Sequence, residues 1–210
     1  MKRSLLIPTI LLLFIGCVTS AGQVAFKETS NFNIIDFGSS QLYIDKRFEA
    51  VGDLNSEFEA ESFGVHNLNV KQTRYVFADT TNGKKDITCA IAVHVFEITT
   101  PQGYWRDEMN FDSYKGRHFE KGVTDLHGMR IAYLVKPLDR IAGDVLKMGS
   151  EKGFSISRDV KYGVDIQFGK TIGRTRIIKI EYIEGGLKAY DFYRAKSALQ
   201  KAKNFIKLES

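Results

Sequence analysis

Apolar and polar residues alternate with a period of two along several short stretches of this chain, the pattern of strands with one covered face. Asn33–Phe37 and Gln41–Ile44 read as two strands around Gly38-Ser39-Ser40, a hairpin turn. Tyr75–Ala78 and Ile87–Thr99 flank Asn82-Gly83, the dipeptide best suited to a tight hairpin because both residues tolerate positive φ. Both faces of the second strand are largely apolar. Cys89, Ile91, Val93 and Val95 lie on one, and Ala90, Ala92, His94, Phe96 and Ile98 on the other, which places the strand inside a sheet covered on both sides. Small Ala90 and Ala92 leave room for a closely packed helix. Met129–Val135, stopped by Pro137, reads as a further strand. Tyr162, Val164, Ile166 and Phe168 alternate with Gly163, Asp165 and Gln167, and Ile178, Ile180 and Tyr182 with Lys179 and Glu181. These two runs predict an antiparallel pair with one face buried and one wet.

The period changes to a helical one twice. Leu138, Ile141, Val145 and Met148 recur at helical spacing up to Gly149. A longer helix is predicted from about Leu187 to Lys207, with Phe192, Ala195, Leu199, Ala202 and Ile206 as its inner stripe and Arg194, Lys196, Lys201, Lys203 and Lys207 facing out. Residues 46–70 hold the apolar anchors Phe48, Val51, Leu54, Phe58 and Phe63 among acidic and amide side chains and predict no definite element. Residues 102–122, after Pro101, are polar but rich in aromatics. No βαβ alternation and no internal repeat is present. The expected class is therefore α+β, a mainly antiparallel β-sheet packed by a long C-terminal helix and one shorter helix.

The first residues follow a different logic. Lys2 and Arg3 precede the apolar run Leu5–Ile15, which is shorter than the ~20 residues a membrane span needs, and Pro8 interrupts it. This is the layout of an export signal. The stretch Phe14-Ile15-Gly16-Cys17 resembles the lipobox of bacterial lipoproteins, with Gly16 and Cys17 matching and with Phe14 and Ile15 bulkier than usual. The resemblance implies cleavage before Cys17 and acylation of its thiol. Two or more acyl chains anchor stably, at about 0.8 kcal/mol per buried CH₂. The expected organisation is a signal peptide over 1–16, a lipidated tether over 17–32 and a single α+β domain over 33–210. The alternative is a cut after Ser20 or Ala21 that releases a soluble domain. Val18 after the Cys, in place of Asp, directs a lipoprotein to the outer membrane, facing the periplasm, in a host with two membranes.

Charge narrows the partners. The formal net charge of +5 includes Lys2 and Arg3, so removal of the signal leaves about +3, too weak and too spread to read as nucleic-acid binding. The membrane, reached through the lipid anchor, is the expected partner. With Cys17 acylated, Cys89 has no disulfide mate, and its apolar neighbours predict a buried, inert thiol.

Chemical motifs are sparse. Gly169-Lys170-Thr171 lacks the Walker spacing, since five residues separate it from Gly163, and reads as a strand-to-strand loop running to Gly173. His66, His94, His118 and His127 form no metal-ligand cluster, and His94 reads as a satisfied core histidine. Cys89 and His94 point to opposite faces of their strand. His118 and His127 flank a Gly- and Lys-rich loop and are expected in solvent. No Gly-x-Ser-x-Gly elbow occurs. Asp107 and Glu108 stand beside Trp105, the sole Trp. The segment Tyr104-Trp105-Arg106 combines the residue types that dominate binding hot spots, and is the candidate contact for an envelope protein or glycan. Its competing role is to pin residues 102–119 onto the sheet. The expectation is a lipid-anchored envelope protein with a non-enzymatic binding, assembly or structural role, without cofactor or metal. The alternative is a periplasmic hydrolase whose site assembles only in three dimensions.

Overall fold

The computed structural model describes residues 24–60, 68–81, 83, 87–138, 141, 143–155, 163–185 and 192–210. The signal segment and Cys17 lie outside these residues, as do Phe63, His66, Asn82, Tyr162 and Leu187. Two antiparallel sheets carry the fold, with two helices among the described residues, so the architecture is α+β and mainly antiparallel.

The smaller sheet orders β1 (Ala25–Glu28), β2 (Phe32–Asp36), β3 (Gln41–Asp45) and β11 (Ile206–Glu209) side by side. The β2–β3 hairpin is the one its alternation predicts, with Gly38 at φ 86° in the turn and its N–H donating to Asp36 Oδ1 at 2.8 Å. β1 lies inside the span expected to be tether and pairs with β2 from Ala25 to Glu28.

The larger sheet joins two meanders. β4 (Phe48–Ala60), β5 (Leu68–Asp79) and β6 (Cys89–Ile98) form one. β7 (Glu120–Leu126), β8 (Met129–Pro137), β9 (Val164–Ile172) and β10 (Arg176–Glu184) form the other, and the seam is the β6–β10 pair. The segment 46–70, without a predicted element, contributes β4 and the start of β5. The turn expected at Asn82-Gly83 is a longer connection, because Ile87 leaves the strand path and its N–H donates to Ser155 O at 2.9 Å. β6 has a hydrogen-bonded neighbour on each edge, β5 and β10, so it lies inside the sheet.

One face of the larger sheet packs on the smaller sheet and on α2 (Phe192–Phe205). Ile91, Val93, Val95, Ile166, Phe168, Ile178, Ile180 and Tyr182 meet Ile35, Leu42, Ile44 and the helix's Ala195, Ala198 and Ala202 in a single core. Small side chains on α2 let it approach closely. Two details of that helix differ from expectation. It ends at Phe205, since Ile206 and Leu208 turn into β11 and pair with Ile44 and Leu42. Phe192, assigned to the inner stripe, is half exposed at the helix start. Buried Arg176 ties the two sheets together, donating from Nη1 to Phe37 O at 2.9 Å while its Nε meets Glu97 Oε1 at 3.0 Å.

The other face carries α1 (Gly143–Glu151) and the loop after β6. The helix expected from Leu138 starts later, because Pro137 still belongs to β8 and Leu138 donates its N–H to Gly163 O. α1 packs over β4 and β5, with Met148 buried among Val51, Val76, Ala78, Ile87 and Phe154. Gly52, at φ 154° beside a β-bulge, makes this approach possible: a Cβ there would stand 3.1 Å from Met148 Sδ. The helix is thus offset from Ala90 and Ala92 instead of lying against them.

Candidate functional site

The offset of α1 leaves a cleft of about 710 Å³ on the outer face of β5, β6, β10, β9 and β8. One end is apolar, lined by Val51, Val76, Ala90, Ala92, Val145 and Phe154. The other end is polar, and cross-strand register builds it. Arg74 on β5 stands opposite His94 on β6, and His94 opposite Lys179 on β10. Glu181 faces Gln167 on β9, and Asp165 faces Lys136 on β8. Period-two alternation puts all of these side chains on one face.

The band is closely connected. Lys179 Nζ lies 2.6 Å from Glu181 Oε1, and Lys136 Nζ 3.1 Å from Asp165 Oδ2. Gln167 Nε2 donates to Asp165 Oδ2 at 2.7 Å and reaches Glu181 Oε1 at 3.3 Å, so one amide bridges both carboxylates. Arg74 Nη1 pairs with Asp144 of α1 at 2.7 Å. His94 Nδ1 receives Gln72 Nε2 at 3.0 Å and Arg74 Nε at 3.3 Å. A guanidinium only donates, so Nδ1 is the accepting nitrogen and the ring hydrogen sits on Nε2. Nε2 lies 3.3 Å from Glu181 Oε2, close enough for its N–H to favour the carboxylate charge. Buried Asp165 Oδ1 makes no hydrogen bond among the described residues. Phe96 stacks on the His94 ring at 6.1 Å and closes that side of the cleft.

The two carboxyls are driven apart. Burial raises Glu181, but His94 and Lys179 more than offset it and hold the group at about 2. Burial pushes Asp165 up and the Glu181 charge adds to this, against Lys136 and Gln167. The groups are those of acid–base chemistry, yet no lone pair of His94 faces the cleft, since Nδ1 is engaged and Nε2 carries hydrogen. Neither a hydroxyl nor a thiol is among the described lining residues. The cleft is arranged to hold a ligand: an apolar floor, a buried polar end and a size within the range of small-molecule sites.

The residues singled out in the sequence fall elsewhere. Trp105 is half-buried against Leu68, Val70 and Ile98, and its Nε1 donates to Thr175 O at 3.1 Å, so it pins its loop onto the β9–β10 turn. Tyr104 stays exposed with Arg174 5.5 Å from its ring, and Arg106 is exposed. Asp107 and Glu108 are exposed. His118 bonds Gly116 O, and His127 bonds Lys203 O at the end of α2, so the two are held by different elements. Cys89 is half-buried against the main core, and burial pushes its thiol up to about 12. Gly169 belongs to β9 and not to a loop; Met109 covers it so closely that a Cβ would fall 2.5 Å from Met109 Cγ, and the positive-φ turn is at Gly173. The polar face of β9, expected to be wet, is buried at Asp165, Gln167 and Thr171.

His94, Asp165, Gln167, Lys179 and Glu181 were legible in the sequence as alternating strand positions. Their convergence was not, because it depends on α1 and on strands remote in sequence. Comparison of the chain with family models, with curated proteins and with solved structures finds no match.

Proposed function

We propose that the protein is a lipid-anchored component of the bacterial envelope that binds a small ligand in the cleft beneath α1. The lipobox-like Phe14-Ile15-Gly16-Cys17 supports the anchor, and Val18 supports the outer membrane as its site in a two-membrane host. No described helix is long and apolar enough to cross a membrane. The observation that carries the binding role is the cleft itself, with buried polar groups at one end and aliphatic side chains at the other. Exposed Tyr104 and Arg106 are the contacts such a protein would offer to an envelope protein or glycan partner.

The hydrolase reading has the convergence of His94, Glu181 and Asp165 in its favour. It lacks a nucleophilic hydroxyl or thiol among the described lining residues, and binding accounts for the same residues without one.

The test uses N-phenyl-1-naphthylamine, an uncharged probe that fluoresces in apolar sites. The wild-type domain should bind it saturably. Ala92→Phe fills the cleft floor and should abolish the signal, and Val145→Phe, projecting from α1, repeats the test from the roof should the first variant fold poorly. Equal probe binding by wild type and both variants would remove the cleft as the site.

A further inference from the structure

We infer that the ligand of the cleft is a monoanionic amphiphile, a long-chain carboxylate, whose head lies between Arg74 and Lys179 and whose aliphatic tail runs along Ala92 and Ala90. This rests on the binding role proposed above and specifies its chemistry.

Among the described lining residues three cations, Arg74, Lys136 and Lys179, stand against two carboxylates, Asp165 and Glu181. The excess is one positive charge with Asp165 ionised and two with it protonated, so its sign is the same in either state. Asp144, which pairs with Arg74, stands on α1 outside the lining with 53 % of its side chain exposed, and water screens that pair. A charge taken out of water is stable only beside its opposite. A positive excess of this size therefore suits a single negative head better than a neutral one, and excludes an ammonium.

The hydrogen bonds left over point the same way. A guanidinium has five N–H groups and an ammonium three, and neither accepts. Among the described residues Arg74 spends Nε on His94 and Nη1 on Asp144, and Lys179 gives Nζ to Glu181. Both keep further N–H groups, and both are reachable, with 18 % and 25 % of their side chains exposed. The carboxylates offer a ligand much less. Glu181 Oε1 already receives Lys179 and Gln167, Glu181 Oε2 faces His94, and Asp165 Oδ2 receives Gln167 and Lys136. Asp165 Oδ1 is sealed from the cleft. Register sets where the head goes. Arg74 and Lys179 flank His94 from the two neighbouring strands, about 10 Å apart at their Cα atoms, and their long side chains can close on one carboxylate between them. The tail follows β6. Ala92 and Ala90 share the His94 face, about 7 and 13 Å along the strand, and Val51, Val76, Val145 and Phe154 wall that course.

Displacement of N-phenyl-1-naphthylamine from the wild-type protein by three probes of one tail length tests the inference: decanoate, decanamide and decylammonium, at neutral pH and below their micelle concentrations. Decanoate should displace the dye at a concentration at least about tenfold lower than either of the others, a difference worth about 1.4 kcal/mol. Lys179→Gln and Arg74→Gln each remove one cation from the place of the head, and in each the advantage of decanoate over decanamide should shrink towards parity; either variant serves should the other fold poorly. Displacement by decanamide or decylammonium at the same or a lower concentration than decanoate overturns the inference. So does a decanoate advantage that survives undiminished in the folded variants, or dye that binds and is blocked by Ala92→Phe while none of the three probes competes. These results leave the cleft as a site. Dye that never binds the wild type defeats the proposed function instead.

Discussion

Glu181 is held by three neighbours in the polar band. His94, Lys179 and Gln167 all converge on its carboxylate, and they hold it at about 2 against the pull of burial. A fall from the ordinary 4.5 to about 2 corresponds to about 3 kcal/mol of stability at neutral pH. Because folding depresses this pKa, the contribution is whole above pH 4.5 and is lost as pH falls towards 2. Asp165 has the opposite sign, since folding raises its pKa and its ionisation costs stability as pH rises. Glu181→Gln should therefore lower the urea-unfolding free energy by about 3 kcal/mol at pH 7, and the gap between variant and wild type should narrow steadily below pH 4.5. A gap of the same size at pH 7 and pH 3 would show that packing, not charge, sets the effect.

At the level of elements, the strongest signals in the chain were the short alternating strands. The β2–β3 hairpin and the β9–β10 pair lie where Ile34 to Leu42 and Val164 to Tyr182 predict them, because each has a covered face and a turn glycine. β4 gave no such signal for a physical reason. Its outer half, from Asp53 to Ala60, is mostly exposed on both faces, so nothing selects a period of two there. The end of α2 differs from the expected one because Ile206 and Leu208 suit a helix stripe and a strand face equally well; pairing with β3, remote in sequence, decides between them. The candidate site is hidden for a similar reason, since Asp165 and Gln167 look like a solvated face until β8 and β10 bring Lys136 and Glu181 against them. β11 should matter beyond its four residues. Ile206 and Leu208 are fully buried, and each such side chain is worth about 1.5–3 kcal/mol. Deletion of residues 206–210 should cost most of the stability of the domain and lower its melting temperature by more than 10 °C, as the loss of several kcal/mol implies. Circular dichroism melts read the change directly; a melting temperature within a few degrees of the parent's would show that β11 is dispensable.

For the whole molecule, the central question is how it is held in place. The net charge is modest and the described helices do not span a bilayer, so the proposed attachment falls on the acyl chains of Cys17 alone. Cys17→Ser should move the protein from the membrane pellet to the aqueous fraction, and intact-mass analysis of the membrane-extracted parent should find acyl groups on an N-terminal Cys17. Co-sedimentation of the serine variant with membranes at the parental level would overturn the anchor. The early start of β1 then acquires a mechanical meaning. Ala25 lies only eight residues on from Cys17 (25 − 17), and a chain of that length, even pulled straight, reaches roughly 27 Å. Once acylated, the domain is moored on a short leash. On the proposed anchoring, the β1 corner stays within that reach of the headgroups, and a ligand of the proposed kind would be met close to the bilayer.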